Sequence, residues 1–216
     1  MIKVHHLELS RSFRVIWLLE ELGVDYQVVT YRRDPATYGA PAELKRVHPL
    51  GKSPVITDGD ITVAESGAII EYLLDKYDND GKFRPAGGQA LLDYRYWMHF
   101  AEGSMMPLLV MRLVLSKVKD RPMPFFVKPI ARKLMDGIDS AFIVPRLQPQ
   151  LAVINDYLKD HSWFAGDEIS GADFQMELAL RFAANRADVS PFAHIQAYLA
   201  QTAARPAHIR ASEKSQ

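Results

Sequence analysis

The sequence has no cysteine, and this absence removes structural disulfides, thiolate metal sites and every mechanism in which the protein itself supplies a nucleophilic sulfur. Net charge is absent too. Twenty-six Lys and Arg balance 26 Asp and Glu, so no bulk field draws in nucleic acid or an anionic membrane. Apolar runs are short, the stretch Leu108–Met111 ending at Arg112, and run length gives no bilayer span. Met1–His6 does not lead into the apolar segment of a secretion signal, so the expected location is the cytoplasm. The remainder is ordinary globular material, 48% hydrophobic and 24% charged over 216 residues. At roughly 150 residues per domain that allows one large domain or two modest ones.

Lys3–Leu9 alternates loosely as a strand, after which Val15, Leu18, Leu19 and Leu22 fall on one helical stripe that Gly23 stops. Tyr26–Tyr31, β-branched and aromatic, is a second strand, parallel to the first across the helix. Prolines 35, 41 and 49 restrict the next stretch to loop and one short helix around Ala42–Val47. Pro54–Thr57 and Ile61–Ala64 pair through Asp58-Gly59, and a helix opening at Glu65 or Ser66 carries Ile70, Leu73, Leu74 and Tyr77. Residues 1–80 thus read as a βαβ–ββα α/β domain and 81–88 as a turn-rich linker. Residues 89–216 read as all helical: Gln89–Lys119 with a kink at Pro107, Pro124–Ser140, Gln150–Lys159, Ala172–Ala187 and Phe192–Ala203. Ala211–Gln216 is polar and expected to fray.

Three stretches carry chemistry. In Ser10-Arg11-Ser12-Phe13-Arg14, a hydroxyl and free backbone N–H groups at a helix start suit an anion, although an ordinary N-cap serine gives the same pattern and Ser12 is the rival. His48-Pro49-Leu50-Gly51-Lys52-Ser53-Pro54 precedes the hairpin, with Lys52 either a carboxylate partner or a solvated lysine. Glu65-Ser66 joins a carboxylate to a helix start, an arrangement that meets both ends of a zwitterion or simply caps the helix. Ser170-Gly171-Ala172-Asp173 is a capping box, which makes Asp173 structural. His5 and His6 have no third ligand at useful spacing, so no metal is expected.

A cysteine-free βαβ–ββα module joined to a helical half, with these stretches, resembles the serine-type cytosolic glutathione transferases over nearly the whole chain. Ser10–Arg14, Ile16–Glu20, His48–Gly51, Glu102–Ser104 and Leu115–Asp120 are similar to the fungal and bacterial Gtt-type branch. The resemblance implies a thioredoxin-like N-terminal domain, an all-α C-terminal domain, glutathione as co-substrate without a metal, and a homodimer. It maps the thiolate-stabilising hydroxyl onto Ser10. The backbone that pairs with the cysteinyl unit maps onto Ser53, before a cis Pro54, with Ser53 standing where the family has valine. Lys52 falls to a glutathione carboxylate, Ser66 to the γ-glutamyl carboxylate and Glu65 to the ammonium group. Glu102 is matched to an acidic residue that reaches the partner subunit's glutathione, or else is an exposed helix carboxylate. An apolar electrophile would sit among Phe13, Met105, Met106 and Leu109, residues that core packing explains equally well. The implied activity is conjugation of glutathione to apolar electrophiles, with reduction of organic hydroperoxides beside it. The alternatives are a glutathione-dependent isomerase or dehalogenase, and a non-catalytic carrier of glutathione or apolar ligands on the same fold.

Overall fold

The computed structural model describes residues 1–215. The N-terminal unit follows the order read above: β1 (Ile2–Leu7), α1 (Phe13–Leu22), β2 (Tyr26–Tyr31), α2 (Ala42–Val47), β3 (Val55–Asp58), β4 (Ile61–Ala64) and α3 (Ser66–Tyr77). The sheet runs β2-β1-β3-β4, with β1 parallel to β2 and the remaining pairs antiparallel. Gly23 ends α1 in the left-handed region at φ 66°, its N–H returning to the Leu19 carbonyl. Val15, Ile16, Trp17, Leu18 and Leu19 are all fully buried, so α1 is enclosed on most of its circumference.

The helical unit comprises α4 (Gly88–Phe100), α5 (Met106–Lys119), α6 (Lys128–Ile138), α7 (Val144–Asp160), α8 (Gly171–Ala184), α9 (Ala193–Ala203) and α10 (Pro206–Lys214). Single π turns at Ala101–Met105 and Asp139–Ile143 join α4 to α5 and α6 to α7. Pro107 follows the first π turn inside a helix that runs on from α4, and the altered hydrogen bonding of that turn accommodates its missing N–H. The continuous helical segment Gly88–Lys119 is, by length and composition, long and apolar enough to cross a bilayer, which the short apolar runs concealed. Here it packs against α8 and buries Trp97, Ala101, Met105 and Leu109 in the core.

The α8 cap forms as the sequence predicts. Asp173 accepts hydrogen bonds from the N–H of Phe164 and Ser170, the Ser170 hydroxyl and the Tyr198 hydroxyl. Complete burial nonetheless pushes its carboxyl up to about 6, against those bonds.

Residues 206–214 depart from the expected frayed end. They form α10, which folds back onto α1. His208 lies edge-on to Trp17 and Phe13, while Ala207 and Ala211 are buried. Arg205 forks onto Glu21 at 2.5 and 2.8 Å; Arg210 and Lys214 reach Glu20 at 2.6 and 2.5 Å. Burial raises the Glu20 pKa, but hydrogen bonds from Lys214, Tyr26 and Arg210 prevail and hold it at about 2. A depressed carboxylate pKa contributes stability that is present above its unfolded value, near 4.5, and lost as pH falls toward about 2. Hydrogen exchange of residues 206–214 is therefore expected to accelerate across that window before the core strands respond; uniform exchange in both regions would contradict the anchoring role.

Candidate active site

After β1 the chain turns sharply through Glu8–Ser12. Arg33 fixes this turn, its Nε donating to the Glu8 carbonyl at 2.9 Å, and Leu9 adopts φ 53° and stands exposed. Ser10 is thereby presented two residues before the N-cap of α1, which is Ser12. The Ser10 Oγ lies 2.7 Å from Ser12 Oγ and 3.1 Å from Ser53 Oγ, and it accepts the Ser12 N–H at 3.3 Å. Ser12 is fully buried and does not cap the helix; its hydroxyl meets His6 Nδ1 at 2.7 Å. Ser53 donates to the His5 carbonyl at 2.9 Å and accepts the Leu7 N–H at 3.2 Å. The serine that replaces valine in the motif thus stitches the loop before β3 to the end of β1 and brings a second hydroxyl to Ser10.

A polar cleft lies alongside, lined by Arg11, His48, Leu50, Lys52, Pro54, Glu65, Ser66 and Glu102. The Ser53–Pro54 peptide is cis. Lys52 projects into solvent, and Glu65 is exposed at φ 73°, a conformation that non-glycine residues hold only when their surroundings enforce it. Ser66 opens α3 and is buried. Through Glu65, Ser66 and Glu102 the cleft continues into a crevice of about 1080 Å³ between α3 and α4.

Arg14 was legible only as a basic residue near the helix start. It is fully buried, and its Nη1 donates to Ser66 Oγ at 3.0 Å and to the Glu102 and Gln175 side chains at 2.5 Å, while Nη2 donates to the Gln175 carbonyl at 3.1 Å. Burial lowers its pKa; Glu102 opposes that shift. A guanidinium has no acceptor, so Ser66 spends a lone pair on Arg14 and keeps its own proton free for the cleft. Glu102, on the first π turn, is also 3.4 Å from Arg11.

The four residues matched to an electrophile pocket are buried. Met105, on the first π turn, and Leu109, on α5, are fully buried and Met106 nearly so, all within the helical core. Phe13 is covered by His208 of α10 and by the Arg181 guanidinium, 4.2 Å from its ring centre. The exposed apolar side chains flanking the cleft are Leu9 and Leu50. His5 is engaged by Tyr31 and Thr57. Among the described residues no group of three His, Asp or Glu is placed to hold a metal ion.

The family models for the glutathione S-transferase N-terminal and C-terminal domains match residues 1–75 and 144–206. Glutathione S-transferase 1 of Saccharomyces cerevisiae is 36% identical over 198 residues, 88% of this chain and 84% of that protein. The crystal structure of a glutathione S-transferase from Actinobacillus pleuropneumoniae superposes with a TM-score of 0.79 at 33% identity, covering 100% of this chain and 93% of that one. A sphingomonad glutathione S-transferase solved in complex with glutathione shares the fold at 21% identity, with a TM-score of 0.73 over 99% of this chain and 98% of its own.

Proposed function

Because the chain belongs to the glutathione S-transferase family, we propose that glutathione lies along the cleft from Ser10 to Ser66 and that the Ser10 hydroxyl holds its sulfur as a thiolate. The protein is a glutathione transferase with glutathione as co-substrate. The observation that carries the Ser10 assignment is the contrast in exposure. Ser10 is only half-buried, whereas Ser12 is fully buried and committed to His6. Ser10 donates to the sulfur; the Ser53 backbone pairs with the cysteinyl unit and Lys52 with the glycyl carboxylate. Ser66, its proton left free by Arg14, receives the γ-glutamyl carboxylate with the N–H groups of α3. Glu65 takes the ammonium group, and Glu102, which also lines the cleft, is the acidic residue matched to the partner subunit's glutathione.

The second substrate is an apolar electrophile entering over Leu9 and Leu50, with organic hydroperoxides as a further class. A homodimer is supported by the apolar groove of α5 and α6, where Met111, Ile130, Leu134 and Phe142 remain exposed. Location in the cytoplasm rests on the family alone.

Calorimetric titration with reduced glutathione tests the reading. Wild type is expected to bind, Glu65→Ala to bind about tenfold more weakly as a charge-assisted contact is lost, and wild type to conjugate a halogenated nitrobenzene. Absence of heat at millimolar glutathione would overturn the binding site. Binding without turnover of any electrophile would make the protein a carrier.

A further inference from the structure

We propose that His6, acting through Ser12, fixes the direction in which the Ser10 proton points, and so is a positioning residue for the catalytic hydroxyl. The proposal rests on the Ser10 reading above.

Four polar groups stand in series: His6 Nδ1, Ser12 Oγ, Ser10 Oγ and Ser53 Oγ, separated by 2.7, 2.7 and 3.1 Å. Each hydroxyl owns one proton, so the series has a direction, and its two ends determine which. At the far end Ser53 gives its proton to the His5 carbonyl and is left an acceptor. At the near end His6 is buried, and among the described residues its Nε2 makes no hydrogen bond of good geometry. A proton on Nε2 would face only the poorly aligned Ser215 backbone, whereas a proton on Nδ1 meets Ser12 Oγ at 2.7 Å and leaves only a bare lone pair behind. Burial lowers the His6 pKa and so favours the neutral ring; the Ser215 backbone and the Glu8 carboxylate act the other way to a smaller extent.

With Nδ1 protonated the order is determined. His6 donates to Ser12, and Ser12 donates to Ser10. Ser10 Oγ also receives the Ser12 N–H, so both of its lone pairs are occupied from the protein side. Its own proton is then left for Ser53 when the cleft is empty and for the sulfur when glutathione is bound. Successive donors pointing one way also polarise one another, strengthening the last bond, the one to the thiolate. Without His6 or Ser12 the Ser10 hydroxyl loses this bias and rotates among acceptors.

Nitrogen-15 NMR of the histidine-labelled full-length protein is expected to show His6 neutral with the proton on Nδ1. In parallel, the thiol pKa of bound glutathione is read from thiolate absorbance, and kcat/KM is followed against pH. Ser12→Ala and His6→Leu are expected to raise that pKa by about half a unit to one unit. Below it, kcat/KM falls about two- to fourfold, the lost ionised fraction being partly offset by the greater nucleophilicity of a more basic thiolate, with glutathione KM within about twofold of wild type. His6→Asn, which retains an N–H donor facing Ser12, is expected to restore the wild-type profile. A proton on Nε2, or an unchanged thiol pKa in both variants while Ser10→Ala raises it, would overturn the relay and leave the Ser10 reading standing. No shift in Ser10→Ala would instead overturn that reading. Should His6→Leu not fold, the NMR tautomer and Ser12→Ala decide.

Discussion

Ser10→Ala is expected to lower kcat/KM toward a halogenated nitrobenzene by about 10²-fold or more at pH 7, with glutathione affinity changed only a few-fold. Ionisation alone does not account for a loss of that size. A free thiol of pKa about 8.5 is about 3% ionised at pH 7, and lowering it to about 6.5 gives about 75%, a gain near 25-fold. A thiolate two units less basic is also about eightfold less nucleophilic, leaving a net factor of about three. The remaining factor of about thirty has to come from holding the sulfur where the electrophile arrives. This partition has a signature. In Ser10→Ala the deficit narrows as pH rises and the thiol ionises unaided, but it does not close. Full recovery at high pH would reduce Ser10 to a pKa device, and loss in Ser12→Ala with none in Ser10→Ala would transfer the role to the deeper hydroxyl.

Arg14→Met carries the second large effect, and on different observables. Removing the guanidinium strips the donors that Ser66, Gln175 and Glu102 share, and it does so in a region where Arg14 and Gln175 are almost wholly enclosed. Breaking one side of such a buried charged network costs about 3 kcal/mol. For a chain of this length that corresponds to a melting temperature lower by about 6–12 °C. Ser66 also loses the contact that orients it at the start of α3, so glutathione KM is expected to rise about tenfold. Arg14→Lys is expected to recover little of either, because a single ammonium on a shorter side chain does not also supply the donor that Nη2 gives the Gln175 carbonyl, nor the planar geometry of the guanidinium. Ser10→Ala, by contrast, should melt with wild type. An Arg14→Met variant with native melting behaviour and native KM would show the network to be incidental.

Local features were readable where neighbours in sequence are neighbours in space. The stripe Val15, Leu18, Leu19 and Leu22 with Gly23, the Asp58-Gly59 hairpin and the Ser170–Asp173 box each need only a few residues of context. Lys52, Pro54, Glu65 and Ser66, singled out from short motifs, line one cleft, and the Ser10 and Ser53 hydroxyls meet at 3.1 Å. What escaped depends on distant partners. Arg14 reads equally as a solvated or a structural base until Gln175, 161 residues away, closes over it. The serine-for-valine change at Ser53 was uninformative until its hydroxyl was seen between His5 and Ser10. Phe13, Met105, Met106 and Leu109 suit a pocket and a core equally by type, and what buries them, such as His208 and Arg181 over Phe13, lies far along the chain. Segment 206–214 offers little apolar material beyond Ala207, Ile209 and Ala211; the charges that secure it lie on α1, at the other end of the chain.

That clasp bears on synthesis. Glu20 and Glu21 emerge from the ribosome nearly two hundred residues ahead of the cations that neutralise them. Until residues 205–214 are made, Trp17 and Phe13 lack the edge of His208, so the thioredoxin-like unit completes its packing only after the helical unit has been synthesised, even though every one of its strands is made first.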